Sequence, residues 1–373
     1  GLIVKLFIGI ALGANVVIAN AIGRGDKATI RRAVHTSIVT ALVGGALVAV
    51  LGEVIAAGLL SLLNVPADVY PLAEQYLRIY LIGMPVILLY NFEAAIFRSI
   101  GDTRSPLIAL ALSGVLNVLL NLFFVIVLHM TVNGVAIATV LSNAVSSAIL
   151  FRKLLRSDTS IRVERRELRI DWAVLRRILQ IGLPAGIQSA VFAVSNIVIQ
   201  SAINSLGKVV MAASSAAYNI EVFAYDVMNS YNQACTTFVG QNYGAGQIRR
   251  CRKTLYLCLI EDAVSLGATV ALVLLTGCFL LSIFNNDPQV IDIGYTRLML
   301  IFTAYIFTML YEVMSGYLRG FGISLVPAIL TTVGVCGVRI AWIYTVFPTS
   351  RTFSTIMTAY PDRAADLSSL ATV

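Results

Sequence analysis

Long apolar runs separated by short polar loops recur along the whole chain. Most runs hold about 20 or more residues, the length that an α-helix needs to cross about 30 Å of hydrocarbon. Lipid offers no partner to an unpaired backbone N–H or C=O, so each run is predicted to be a spanning helix. An eleventh span begins near Ser354 and is predicted to be damaged. The ten others are Gly1–Ile22, Val34–Leu63, Leu72–Phe97, Pro106–Leu128, Val132–Phe151, Ile178–Ile203, Val209–Phe238, Thr254–Phe284, Ile291–Leu318 and Pro327–Phe347.

The composition agrees with a chain that is mostly surrounded by lipid. Hydrophobic residues make up 58% of the sequence and charged residues only 12%, about half the charge of an ordinary soluble domain. The alternating pattern of a membrane β-barrel strand is absent from the sequence. The pattern therefore predicts an all-α integral membrane protein that crosses a cell membrane many times, and we expect a bacterial inner membrane.

The net charge of +8 is concentrated in alternate loops. The loops at 23–32, 98–105, 152–177, 244–253 and 319–325 hold most of the 27 Lys and Arg residues, whereas the loops between them hold only Lys208 and Arg351. This bias predicts that the basic loops are cytoplasmic, and it gives no reason to expect nucleic acid as a partner.

The sequence holds no pattern that predicts an enzyme or a bound cofactor. The five cysteines form no C-x-x-C pair, and the chain has only two histidines. There is no Walker-type phosphate loop and no H-E-x-x-H motif. We therefore expect no cofactor and no catalytic residues.

The most polar stretch, residues 152–177, divides the chain. It holds nine Lys or Arg and four acidic residues and too little apolar surface to form a domain. We predict an N-terminal bundle at 1–151, a cytoplasmic basic linker at 152–177 and a C-terminal bundle at 178–373.

Two loops of the first half recur in the second half at one offset. Gly23 and Gly25 correspond to Gly244 and Gly246 (244 − 23 = 221). At that same offset three further pairs match, namely Arg98 with Arg319, Gly101 with Gly322, and Pro106 with Pro327. One register shared by two separate loops predicts an internal duplication.

The duplication predicts two six-helix bundles. An even number of spans preserves orientation, so the two copies should be parallel repeats. The offset places the partner of Ile178–Ile203 before residue 1, and we expect a first helix missing from this sequence, with twelve spans in the full protein and about eleven here. It also predicts a last helix at 353–372, where Asp362, Arg363 and Asp366 suit a bilayer poorly.

Several segments resemble the multidrug and toxic compound extrusion (MATE) family. Ala19–Arg32, ANAIGRGDKATIRR, resembles that family's G-x-G-[DN]-x-x-x-x-R-R loop. Arg98–Pro106, RSIGDTRSP, is similar to its R-x-x-G-D-T-[KR]-x-P loop, and Gln241–Arg252 to its Q-N-x-G-A-G loop. Asn117–Val125 resembles its L-N-x-x-L-N/D-x-x-F helix. The likeness extends from Gly1 to about Tyr360.

The resemblance implies a fold and an activity. It implies two bundles around a cleft and export of cationic or amphipathic drugs in exchange for H⁺ or Na⁺. The coupling Asp that the family commonly carries on its first helix has no position here. A metal ligand set is not identifiable, and we expect a monomer whose partners are small molecules and lipid.

Ionisable and amide side chains within predicted spans are the candidates for a substrate and cation pathway. Such groups are unfavourable in lipid, so their presence within a span indicates a function. Tyr218, Glu221, Tyr225 and Asn229 share one helix face, where a carboxylate beside aromatic rings suits an organic cation. Arg297 is predicted near the outer interface, and Asp262 near the cytoplasmic end of its span. The predicted pathway residues are Glu221, Asp226, Asn219, Tyr225, Asn117, Asn121, Asn196 and Glu312.

Two other functions fit the same pattern of spans. A lipid-linked oligosaccharide flippase of related architecture would favour a cleft rich in Arg and Lys, whereas acids outnumber bases within these spans. An intramembrane transferase would need a cluster such as D-D-x-x-D, which the sequence lacks. The sequence leaves open the cargo, the choice between Na⁺ and H⁺, and whether this chain folds and transports.

Overall fold

The computed structural model describes residues 2–62 and 70–357, and within these residues it contains helices and no strand. The α-helices are α1 (Leu2–Arg24), α2 (Lys27–Leu62), α3 (Tyr70–Ile82), α4 (Met84–Ser99), α5 (Arg104–Leu122), α6 (Val132–Leu155), α7 (Trp172–Asn204), α8 (Lys208–Gly244), α9 (Ile248–Ser282), α10 (Pro288–Gly320), α11 (Leu325–Ile329), α12 (Val338–Thr345) and α13 (Phe353–Met357). Two π-helical turns, Phe123–Val127 and Leu330–Gly337, continue α5 and join α11 to α12.

Among the described residues, eight segments are long and apolar enough to cross a membrane. The bent pair of α3 and α4 makes a ninth if it counts as one span. The helix α8, which was predicted as a span, is long enough to cross a membrane but is not among these apolar segments, because it carries more polar residues. The predicted all-α membrane fold is confirmed, while most of the predicted last helix at 353–372 lies outside the described residues.

The bend between α3 and α4 measures 49°. Gly83 is the N-cap of α4 and Pro85 lies in its first turn, where the proline ring leaves no N–H for a helical hydrogen bond. Ala304 and Ile306 occupy the repeated positions within α10, which stays continuous. The bend therefore coincides with Pro85, whereas Pro184 lies inside α7 without dividing that helix.

The turns of the two copies adopt the same backbone conformation. Gly25 has φ +69° and its partner Gly246 has φ +71°, and Gly101 and Gly322 have φ +83° and +87°. Side chains other than glycine rarely adopt this left-handed conformation, so the turns explain why these glycines recur at the offset of 221.

A side-chain contact is duplicated as well. The Tyr90 hydroxyl donates to the carbonyl of Pro106 at 3.4 Å, and the Tyr311 hydroxyl donates to the carbonyl of Pro327 at 3.3 Å. Both pairs match at the same offset, so the register predicted from the loops extends into the packing of the helices that flank them.

Alanine at either duplicated turn should destabilise the protein by about 1 kcal/mol, because a Cβ is unfavourable at positive φ. We expect Gly101→Ala and Gly322→Ala to lower the melting temperature by similar amounts. Gly267→Ala is the matched control, since Gly267 lies inside α9 with open space around it and alanine favours helix there. An unchanged melting temperature in both turn variants would contradict the role of these glycines.

The chain divides into two compact units, one over Ile3–Leu183 and a second beginning at Pro184. The division lies inside α7, a few residues beyond the predicted boundary after 177. The core of unit 1 is formed mainly by α1, α2, α4 and α6, around Ile18 and Phe92. The core of unit 2 is formed mainly by α8, α9 and α10, around Met228 and Leu298.

The basic segment after α6 packs onto α2. Ile161 and Val163 are buried in the core of unit 1. The backbone N–H of Glu164 donates to His35 Nε2 at 3.0 Å, and Arg31 pairs with the carboxylates of Glu164 and Glu167 at 2.8 and 2.6 Å. Part of the segment predicted as a linker is thus fixed on unit 1 by buried apolar residues and by charge.

Candidate functional site

A polar cluster inside unit 2 is centred on Glu312 of α10. The Tyr225 hydroxyl donates to Glu312 Oε1 at 3.4 Å, and Asn232 Nδ2 donates to Glu312 Oε2 at 2.5 Å. Tyr225 and Asn232 are seven residues apart on α8, which places them on one helix face, two turns apart. Both groups are neutral donors, so neither of these hydrogen bonds brings a positive charge to Glu312.

Asp262 of α9 adds a second carboxylate. Its side chain is fully buried, and within the described part of the chain neither carboxylate oxygen has a hydrogen-bond partner. Glu312 is close enough to act on Asp262 electrostatically. Two acids, one of them without a partner, therefore lie near each other inside unit 2.

The helix that carries Asp262 begins earlier than predicted, and the position of Asp262 near the cytoplasmic end of its span stays a prediction. The helix α9 begins at Ile248, six residues before the predicted start, because the basic residues of the preceding loop join its first turns. At 1.5 Å per residue, Asp262 lies about 21 Å into the helix.

The cation nearest along α10 is Arg319, two turns beyond Glu312. Its Nη2 donates to Gln188 Oε1 at 2.8 Å, and Gln188 Nε2 donates to the Tyr311 hydroxyl and to Thr331 Oγ1. Arg319 is buried, and this hydrogen bond goes to an amide and not to either acid. Within the described part of unit 2, the cluster therefore holds two carboxylates and one arginine.

The acids are peculiar to one copy of the repeat. Unit 1 has Ala41 where unit 2 has Asp262, and Asn91 where unit 2 has Glu312. The Asn91 amide donates to the carbonyl of Ile87 on its own helix. Unit 1 folds without these acids, so the fold common to both copies does not require them.

The chemistry that this cluster suits is the binding of a cation or a proton. An ionised carboxylate without a partner is highly unfavourable away from water. A bound Na⁺ or a proton removes that penalty, and oxygen ligands are those that alkali cations prefer. The cluster can thus exist in a loaded and an unloaded state that differ in charge.

Glu221, predicted to attract a cationic substrate, instead pairs with Arg297 at 2.9 Å. Arg297 also donates to Ser214 on α8. The side chains of Arg297 and Glu221 are only 4% and 12% exposed, so both are buried within unit 2; that Arg297 lies near the outer interface stays a prediction. The charge of Glu221 is already neutralised within unit 2.

The predicted aromatic and acidic face of α8 contacts two separate stretches of α10. The Arg297 guanidinium lies over the Tyr218 ring, 6.0 Å from its centroid, while Tyr225 bonds to Glu312. Asp226 and Asn219 are exposed, and the Asn219 amide donates to the carbonyl of Ser215. Of the predicted residues on α8, only Tyr225 reaches Glu312.

The predicted amides of unit 1 form a chain of hydrogen bonds. Asn117 Nδ2 donates to Ser142 Oγ at 3.2 Å, and Asn121 Nδ2 donates to Asn117 Oδ1 at 3.0 Å. Asn121 Oδ1 is buried without a partner among the described residues, so it can accept one further donor or cation. Asn196 is half-buried on α7, in unit 2.

Comparison with known proteins gives one family. The family model described as MatE matches residues 1–123 and 184–345. The chain is 24% identical over 348 residues to Probable multidrug resistance protein YoeA of Bacillus subtilis (strain 168), covering 91% of this chain and 75% of that protein. It is 27% identical over 344 residues to Probable multidrug resistance protein NorM of Thermotoga maritima, covering 90% and 73%.

A solved structure shows the same fold. The crystal structure of MATE in complex with MaL6 matches with a TM-score of 0.90 at 22% identity, covering 99% of this chain and 84% of that one. The likeness covers nearly the whole chain and concerns the fold.

Proposed function

The chain belongs to the MatE family, and from this membership we propose that it is a secondary active exporter of cationic or amphipathic drugs, driven by exchange for H⁺ or Na⁺. It is a multi-pass membrane protein of the plasma membrane. Relatives along most of its length are named as multidrug resistance proteins, which supports small, chemically diverse cargo. Such a carrier needs no cofactor and can act as a monomer.

The observation that carries the proposal is the acid pair of unit 2. Glu312 has only neutral donors, and Asp262 has no partner on either oxygen among the described residues. Loading of this pair by an ion changes the charge of the interior of unit 2. A ligand shifts a conformational equilibrium only if it binds the two conformations with different affinities. An ion that neutralises the acid pair binds more tightly to a conformation that buries the pair than to one that exposes it to water, so the pair provides such a difference.

The predicted residues enter the proposal in different roles. We assign Glu312, with Tyr225 as its donor, to the coupling ion, together with Asp262 and Asn232. The amides Asn117 and Asn121 are a second polar position, in unit 1. Asp226 and Asn219 offer exposed polar groups on α8, and Asn196 a half-buried one on α7, to which cargo can bind.

Glu312→Gln should reduce ion-driven export by about tenfold or more, because an amide keeps the shape of the carboxylate but cannot take a proton or pair with a cation. The measurement is export of a fluorescent cationic dye from vesicles, with the sodium and proton gradients varied independently. The gradient that drives the parent protein identifies the ion.

The matched control is Asp292→Asn, which removes an exposed carboxylate from the same helix. It should export like the parent protein. Equal export by Glu312→Gln and the parent under the driving gradient would remove Glu312 from the coupling site.

A further inference from the structure

A basic cavity lies in unit 1, beside the C-terminal end of α6. Its volume is about 450 Å³, within the range of about 300–1,000 Å³ typical of small-molecule sites. Apolar side chains, among them Phe97, Ile100 and Ile149, form part of its lining. The lining therefore combines a charged part with an apolar part, as a site for an amphipathic molecule requires.

Three cations line the same cavity, and one of them is already paired. Lys153 lies 3.4 Å from Asp102 and also contacts Ser105. Although partial burial opposes it, hydrogen bonds from Ser105 and the charge of Lys153 hold the pKa of Asp102 below its usual value. Asp102 therefore stays ionised at neutral pH and compensates Lys153.

The other two cations, Arg152 and Arg156, have no such partner. They lie four residues apart at the end of α6, so they project from the same side of the helix. Both are exposed, and among the described residues neither forms an ion pair. The cavity thus retains two unpaired guanidinium groups, flanked by the hydroxyls of Ser157 and Thr159.

This arrangement favours a phosphate group attached to an apolar body. Guanidinium groups bind phosphate oxygens in a bidentate manner, hydroxyls supply further donors, and the apolar lining accepts hydrocarbon. The loops that contribute to the cavity belong to those that the Lys and Arg bias predicts to be cytoplasmic. Basic pockets beside spanning helices on that side suit the headgroups of anionic lipids.

We propose that this cavity binds the phosphate headgroup of an anionic glycerophospholipid of the cytoplasmic leaflet. The bound headgroup joins the end of α6 to the loop between α4 and α5, where Asp102 lies. It is a site on unit 1 that is separate from the acid pair of unit 2, and it does not depend on which ion drives export.

The test compares lipids and soluble phosphates added to the purified protein in a neutral detergent. Phosphatidylglycerol should raise the melting temperature by about 4 °C or more at saturation, and native mass spectrometry should detect a retained lipid. Phosphatidylcholine, inorganic phosphate and sn-glycerol 3-phosphate should each give less than half of that shift.

The variant R152Q/R156Q should lose the shift and the retained lipid. Its matched control is R165Q/R166Q, which removes two exposed arginines from the same basic segment outside the cavity and should behave like the parent. If both variants lost the melting-temperature shift and the retained lipid equally, non-specific attraction between basic residues and anionic lipid would explain the effect, and the proposal would be overturned. A full shift with soluble phosphate alone would overturn the assignment to a lipid.

Discussion

Asp262→Asn should strongly reduce ion-driven export while leaving the protein at least as stable as the parent. The carboxylate is fully buried, and in the described structure both of its oxygens lack partners. Replacing a buried ionisable group with an amide removes an unfavourable charge, so we expect a stability gain of about 1–3 kcal/mol. Export should decrease by about tenfold or more, because the coupling ion loses a ligand.

The two effects are measured separately. Thermal unfolding in detergent reports stability, and dye export from vesicles under the driving gradient reports coupling. Glu261→Gln is the matched control, because Glu261 precedes Asp262 on α9 and is exposed; neither readout should change in it. A variant Asp262→Asn that is unstable but exports normally per folded molecule would show that Asp262 serves the fold.

Removing one partner of the Glu221–Arg297 pair should be strongly destabilising. Glu221→Gln removes the carboxylate that pairs with the buried Arg297 guanidinium, which is expected to reduce stability by about 3–5 kcal/mol. Removing both partners in E221Q/R297M should recover most of that loss, because no unpaired charge remains. A double-mutant cycle on melting temperature and membrane abundance measures the coupling.

An exposed pair provides the control for this cycle. Arg31 and Glu164 also form an ion pair, but their side chains are 44% and 46% exposed. Glu164→Gln should therefore change stability by less than about 1 kcal/mol. If Glu221→Gln proved equally mild and instead weakened drug binding, Glu221 would belong to the substrate pathway, as its sequence context first indicated.

The helices could be predicted from sequence because lipid sets their length and polarity. The duplicated loops could also be predicted. Gly101 and Gly322 need the same left-handed backbone, and this requirement is visible in the sequence as a glycine at both positions. The predicted helix ends differ from the observed ones by a few residues; α9, for example, begins six residues before its predicted start.

The partners of the polar side chains could not be predicted in the same way. Periodicity placed Glu221 and Tyr225 on one face of α8, but it does not tell which helix faces them or which residue of that helix each one meets. Glu221 meets Arg297, 76 positions away, and Tyr225 meets Glu312, 87 positions away. Such pairings depend on the rotation of packed helices about their axes, and one sequence contains no direct record of that rotation.

Direct measurement of ion binding tests the central claim, that the acid pair of unit 2 holds the coupling ion. Purified parent protein should bind ²²Na⁺, or take up and release protons, in a saturable manner, and D262N/E312Q should lose this binding while remaining folded. Ion binding by the folded double variant with the affinity and stoichiometry of the parent would contradict the account.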